Sequence, residues 1–457
     1  MKKSAVTMVS LLTVGAVLAG CSKEAAPSAS SPTPAAPAAS TAPASTPAPE
    51  QAKPFTVKLR HIMVKETQMK ELDRMKGTKQ RLEESIPGLT LELEGLEEQV
   101  HRWQKLRAEM SAGNPPTIFN LFGGTDIKDF AKTGNLLDIT PIIDELGIKD
   151  QFWNLSEFTV DGKVYGLPLA GFVEGVFYNK KLFADNGVEI PKDLAGLEKA
   201  AETFNSKGIT PFALGGKDAW VIGMPLNTTW VRMAGTTITK DIQDGKAKWT
   251  DPGVVAGFEK FQDFVKKGYF SKNALGLGYA QGQNEFQTGK AAMIFDGAWA
   301  AGAFTDPERT PVAADVGFFG FPGIGGPGDN AVNSSFSNGY GFSAKANEQE
   351  LKVIKAFIKD VYSKEMQTAQ NKEDSWLPSM KFEIDGAKPI MKEIMESTSG
   401  KDLFPAFDSE VPGKVNNAIQ SAAQELLGNK GSAADILKKL QTVQDEANAE
   451  AAAKAKK

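Results

Sequence analysis

The sequence predicts an α/β protein of two domains behind an N-terminal tether, on three observations. About 400 residues follow a Pro-rich stretch that cannot pack, more than a single core usually holds. Segments with strand alternation and segments with helical periodicity take turns along those residues. Cys21 is the only cysteine, so the sequence offers no intramolecular disulfide and no cysteine metal site, and packing has to stabilise the fold.

Lys2 and Lys3 precede an uncharged run from Ser4 to Gly20, the charged and apolar regions of an export signal, too short to span a bilayer comfortably. Residues 1–20 are expected to be a signal peptide. The run closes on "LAGC", Leu18 to Cys21, which resembles the lipobox of bacterial lipoproteins. That likeness implies lipidation at Cys21, with palmitate among the acyl groups, and Cys21 as the mature N-terminus. Residues 21–53 are almost wholly Ala, Pro, Ser and Thr, a composition that favours an extended spacer. The expectation is a cell-membrane protein, lipid-anchored on the extracytoplasmic face. The net charge of −4 becomes −6 when the two lysines leave with the signal, −4 − 2, and gives no footprint for nucleic acid.

Beyond the spacer, Phe55, Val57, Leu59 and His61 alternate on one face of "FTVKLRHI" and predict a first strand. "LLDIT", Leu136 to Thr140, ends one helix-and-strand unit. "GKVYGLPLAGFVEGVFYNK", Gly162 to Lys180, reads as two short apolar runs broken by Gly and Pro. Asp251 and Pro252 are expected as N-cap and first residue of a helix burying Val255, Phe258, Phe261 and Val265, with Gly268 at its C-terminal end. Asn347, with Glu350 three residues on, predicts a capped helix whose stripe is Leu351, Ile354, Phe357, Ile358 and Val361. The tail repeats the theme with Val415, Ile419, Ala422 and Leu426, then Gly428, then Ser432 capping Ile436, Leu440 and Val443. No internal repeat of fixed period is visible.

The stretch that carries chemistry is "MIFDGAW", Met293 to Trp299: an apolar strand that ends on an acid, a glycine, an alanine and an indole. A sugar presents hydroxyl rims and apolar C–H faces. An indole matches the C–H face, and a carboxylate accepts from two neighbouring hydroxyls. Trp299 is therefore expected to stack on ligand, with Gly297 clearing the approach. Asp296 either accepts from the ligand or caps the turn that follows.

The ordered set of pieces resembles the extracellular solute-binding proteins of ATP-driven sugar importers, the class that includes maltose-binding protein. The likeness rests on "GNPPTIF", "GKVYGLP", "FYNKKLFADNGVEIPKD", "KGITPFALGGKDAW", "MIFDGAW", "DVGFFGFP" and "NGYGFSAKANEQE" in that order. Thr117 departs from it where an acid is usual. The resemblance implies an α/β, periplasmic-binding-protein-like clamshell of the second type, with two lobes, three interlobe crossings and a ligand in the cleft. The crossings are expected near Gly171 to Gly175, Asn333 to Ser337 and Trp376 to Lys381. Residues 54–173 and 335–378 then form the N-lobe, and 174–334 and 379–457 the C-lobe.

The same likeness nominates further ligand contacts. Phe122 falls where maltose-binding protein has a stacking Trp, and Thr125 and Asp126 fall on its polar pair, a changed pattern that argues against maltose itself. Glu174 falls on a sugar-binding acid, or is a hinge carboxylate bonded to backbone. Trp220, in the Gly-rich loop after "GGKD", is expected to face ligand. Asp218 binds hydroxyls or is a solvated loop acid, and Trp230 belongs to packing. His61 is either a contact at the end of the first strand or a structural hydrogen-bonder. Trp376 reaches the cleft from the third crossing or stays in the core. Asn338, opening "NGYGFSAKANEQE", joins the contacts. Pro412 and Gly413 stand where maltose-binding protein has an aromatic platform, so one end of the subsite array must differ.

The function implied is capture of a carbohydrate, an oligosaccharide by expectation, for delivery to an ABC importer. Its partners would be two permease subunits and a cytoplasmic ATPase, with the receptor itself a monomer. A polyamine or other polar-solute receptor of the same fold is the alternative. A glycoside hydrolase would need its acid pair, Glu174 and Asp296, at a defined separation. A surface adhesin would need no closing cleft. The chain has two histidines, lacks "HExxH" and "GxSxG", and its "DIQDGK" lacks the spacing of a calcium loop, so neither enzyme chemistry, a metal nor a cofactor is expected.

Overall fold

The computed structural model describes residues 53–382 and 386–455. The expected signal peptide, Cys21 and all of the spacer before Lys53 lie outside the described residues. The strands, in chain order, are β1 (Phe55–His61), β2 (Leu89–Gly95), β3 (Ile118–Phe122), β4 (Thr159–Val160), β5 (Lys163–Val164), β6 (Gly166–Asn179), β7 (Thr210–Ala213), β8 (Ala291–Gly297), β9 (Val316–Phe319), β10 (Ala331–Phe342), β11 (Leu377–Pro378) and β12 (Asp402–Phe404).

The main sheet runs β2-β1-β3-β10-β6-β8-β7, with β9 and β11 also pairing β6 and β12 pairing β10. β1 is parallel to β2 and β3, and β7 is parallel to β8, whereas β10 and β6 are antiparallel to their main-path neighbours. Each of these two long strands serves both ends of the sheet. Gly166 to Ala170 of β6 lie on β10, while Glu174 to Tyr178 lie on β8. β10 begins on β12 at Ala331 to Asn333, meets Val173 and Phe172 at Ser334 and Ser335, shifts register, and ends on β3.

The expected break of Gly162 to Lys180 into two runs gives way to one fourteen-residue strand. Its glycines sit where rings cross the sheet: a Cβ on Gly171 would lie 2.5 Å from the Phe336 ring, and one on Gly175 2.4 Å from Phe318. They mark close approach rather than a turn. Pro168 lies opposite Gly339, at the register shift, where the ladder can spare a donor.

Separate cores flank the two ends of the sheet. Val57, Leu59, Ile118 and Phe342 pack with Val353, Ile354, Phe357 and Ile358 of the helix Glu348–Val361. Val176, Phe212, Met293 and Phe295 pack with Leu197, Ala201 and Phe204 of the helix Leu194–Ser206. A third, mainly helical core gathers Trp230, Trp249, Phe258 and Phe261 with Ile419, Leu426 and Leu437. Trp230 is buried there, its indole N–H donating to Thr239 at 3.2 Å.

Asn347 and Glu350 close a capping box, the Asn347 carboxamide oxygen accepting from the Gln349 and Glu350 N–H groups at 2.9 and 3.0 Å and Glu350 accepting from the Asn347 N–H at 2.9 Å. Asp251 precedes the helix Pro252–Lys266, but its carboxylate accepts from Lys248 N–H at 3.0 Å and caps no helical N–H. Gly268 takes the left-handed conformation, φ +70°, at that helix's end. After the helix Gly413–Leu427 the left-handed residue is Asn429, φ 52°, rather than Gly428.

Candidate functional site

A cavity of about 220 Å³ opens beside the stretch where β6 and β10 pass from one end of the sheet to the other. One wall grows from the end of β8. The chain leaves Gly297 into a short 3-10 turn, Ala298–Ala300, and the Trp299 indole folds back over the glycine. A Cβ on Gly297 would stand 2.1 Å from that ring. Gly297 therefore makes room for the platform's own indole, where a clear path for ligand was expected.

The indole is held by a hydrogen-bond chain. Trp299 Nε1 donates to Tyr279 Oη at 2.8 Å, and Tyr279 Oη donates to Asp296 Oδ1 at 2.9 Å. Asp296 also accepts from the Gly297 N–H at 2.8 Å and from Gln283 Nε2 at 3.0 Å. Burial pushes its carboxyl up to about 6, with those donors pulling the other way. Trp220 stands in the first turn of the helix Ala219–Ala234, not in a loop, and its ring lies 4.8 Å from Tyr279 and 6.4 Å from Trp299. Asp218, just before that helix, accepts from the Tyr279 N–H at 2.6 Å. Phe172 meets Trp299 edge-on at 5.4 Å.

The facing wall is organised by Arg102. Its guanidinium lies 4.1 Å from the Phe122 ring centroid and 4.5 Å from that of Trp103. Its Nε donates to Asp126 Oδ2 at 2.7 Å, both side chains buried, and it also pairs with Asp408. Those carboxylates raise its pKa against the effect of burial. Arg107 supplies a second partner for Asp126 and covers Trp103 at 4.8 Å. Thr125 donates to the Ser409 carbonyl at 3.0 Å.

Seven of the eleven ligand residues expected from the sequence line the cavity: His61, Phe122, Glu174, Trp220, Trp299, Asn338 and Trp376. Thr125, Asp126, Asp218 and Asp296 do not. Their side chains hold Ser409, the two arginines, Tyr279 and the platform respectively. Burial lowers the pKa of His61 and favours the neutral ring, whose Nδ1 accepts from the Met63 N–H at 3.2 Å. The Asn338 carboxamide oxygen accepts from Asn120 Nδ2 at 2.8 Å. Among the described residues, Trp376 Nε1, Glu174 Oε2, Asn120 Oδ1, Asn227 Nδ2 and Gln283 Oε1 are buried at the cavity with no protein partner. Such groups cost free energy until a ligand meets them.

Trp103, Phe172 and Tyr279 also line the cavity and were not expected. Phe172 was the one with a signal, because it lies two residues before Glu174 and residues at that spacing in a strand share a face. Trp103 and Tyr279 sit in a π-helical turn and on the first residue of a helix, where local pattern says nothing of a cleft. Among the described residues no helix is long and apolar enough to cross a membrane, and no three His, Cys, Asp or Glu side chains are grouped to hold a metal.

A mixed sheet with two long shared strands, separate flanking cores and an aromatic cavity at the crossings define a two-lobed binding-protein architecture. The chain belongs to the family of bacterial extracellular solute-binding proteins, whose pattern matches residues 67–368. It is similar to a solved chitin oligosaccharide binding protein, 47% identical with a TM-score of 0.85, over 86% of this chain and 99% of that one. The multiple sugar-binding protein of Streptococcus mutans is 25% identical over 64% of this chain and 66% of its own. The diacetylchitobiose binding protein of Streptomyces coelicolor is 27% identical over 62% and 65%. The matched region thus spans about two thirds of these curated relatives. A maltose-bound structure, 18% identical with a TM-score of 0.72, shares the fold.

Proposed function

We propose that the chain is an extracytoplasmic receptor that takes a chitin-derived oligosaccharide into the cleft and delivers it to an ABC importer. The observation that carries this reading is the pairing of aromatic faces on both walls with buried donors and acceptors that the protein leaves unmatched. Oligomers of N-acetylglucosamine offer C–H faces for Trp299, Trp220 and Phe122, and hydroxyl and acetamido groups for the unmatched atoms. The 47% identity to a chitin oligosaccharide binding protein supports that sugar over others. Of the acid pair a hydrolase reading would use, Glu174 and Asp296, Asp296 already accepts from three donors, which disfavours that pair as catalytic.

Lobes at 54–173 with 335–378, and 174–334 with 379–457, are in keeping with β6 and β10 changing partners near Val173 and Ser335. We place the permease subunits and their ATPase as partners, a lipid at Cys21 as the membrane anchor, and the receptor as a monomer. A thermal-shift screen tests the ligand: at a hundredfold over Kd, chitin oligosaccharides should add about 2.7 kcal/mol of stability. A shift with maltooligosaccharides and none with the chitin series would sink the assignment.

A further inference from the structure

The carboxyls around the cavity are unequally provided for. Asp408 pairs with Arg102, and Asp374 pairs with Arg74. Glu71 has the charges of Arg74, Arg309 and Lys65 acting on it, and Glu98 those of Lys65 and Arg102. Asp296 has its three donors. Glu174 alone has neither: it is 5% exposed, its Oε2 has no partner among the described residues, and the charges acting on it are the acids Asp408 and Asp296. Burial, with those two acids beside it, pushes its carboxyl well above the usual range and keeps it protonated in the free protein, and a cation from the ligand would complete the position as a paired carboxylate.

The surroundings suit an ammonium on a sugar. Glu174 is paired in register with Gly297, beneath the Trp299 indole, and Phe172 on the same strand face packs against that indole. A ring stacked on Trp299 is therefore flanked by the carboxyl. The adjoining rings already accommodate one ammonium, because Lys65 Nζ lies 5.3 Å from the Tyr279 centroid and 5.7 Å from that of Trp220. Building on the carbohydrate reading above, we propose that Glu174 seats the ammonium of an amino sugar, so that the preferred ligand is a chitin oligosaccharide with at least one N-deacetylated residue.

Calorimetry on the full chain with the diacetylated disaccharide, its deacetylated forms and spermidine tests this. A deacetylated form should bind at least about tenfold more tightly than the diacetylated one, the scale of a charge-assisted contact. Glu174→Gln, which mimics a neutral acid, should abolish that preference, whereas Glu174→Asp should retain it. Thermal unfolding of both variants checks that they fold. Equal or tighter binding of the diacetylated sugar by the natural protein overturns the proposal while leaving the carbohydrate reading standing, as does a preference that survives in Glu174→Gln. Binding of spermidine with neither sugar overturns both readings, as does the absence of any binding.

Discussion

On one side of the cleft Trp299 and Tyr279 are fixed by a hydrogen-bond chain that ends on Asp296, and the Trp220 ring lies against Tyr279, every member drawn from residues 218–299. On the other, Trp103 and Phe122 lie against the Arg102 guanidinium, whose charge is met by Asp126 and by Asp408, the latter 306 residues from Arg102 along the chain. The first wall is complete within one stretch of chain. The second is complete only when Asp408 and Ser409 are brought against it. The difference teaches that the platforms are held differently: one by residues close together in the chain, the other by contacts from a distant segment, which on the proposed lobe assignment are expected to form as the two halves meet.

The sharpest way to break the comparison is Arg102→Ala. It leaves Asp126 buried with Arg107 as its remaining partner and removes the cation from both aromatic faces. Loss of one member of a buried pair costs about 3 kcal/mol or more. Urea denaturation should show that loss, and an unchanged midpoint would mean the arginine does not organise its wall.

The preformed wall should instead answer to pH. The Asp296 carboxyl is raised from 3.8 to about 6 in the folded protein. A raised acid contributes stability that is fully present below its unfolded value and is lost as pH rises through its folded one. Between about pH 4 and pH 6 the natural protein should therefore lose roughly 2 to 3 kcal/mol relative to Asp296→Asn, which cannot titrate. Comparison with the variant removes the opposite slope of lowered acids such as Asp306 and Asp329. Parallel stability curves would show that the Asp296 network holds no excess proton.

Trp299→Ala separates binding from folding on that same wall. The indole is partly exposed and carries the stacking face, so affinity for the ligand should fall by about 1 to 3 kcal/mol with little loss of fold stability. Intact affinity, or an unfolded protein, would remove the platform role.

The two walls also differ in how far the sequence discloses them. "MIFDGAW" announces the Trp299 wall because the strand, the acid and the indole are contiguous. The Asn347 cap and its stripe are legible for the same reason, since a capping box is complete in four residues. The facing wall is not legible. Asp126 looks like a ligand acid after Phe122 because nothing local reveals that Arg102 and Arg107 claim it. β6 misleads differently: Gly171 and Gly175 imitate breaks, and the Phe336 and Phe318 rings that require them lie more than a hundred residues away.

The smallest effect expected is that of Asp408→Asn, and it bears most directly on whether the second wall assembles on closing. Asp408 is 29% exposed in its pair with Arg102, and the arginine keeps Asp126, so the loss of stability should be under about 1 kcal/mol. On the proposed lobe assignment this contact joins one half to the other, so it is expected to hold their closed arrangement rather than the fold of either. A contact made only in the closed state lowers ligand escape, so its removal should appear as dissociation faster by about threefold, with association nearly unchanged. Added salt should speed dissociation in the natural protein and have less effect in the variant, because a partly exposed pair is screened. Stopped-flow dissociation at two ionic strengths reads both quantities. If Asp408→Asn dissociates at the natural rate with the same salt dependence, the Arg102 wall is as preformed as the Trp299 wall and the contrast between them fails.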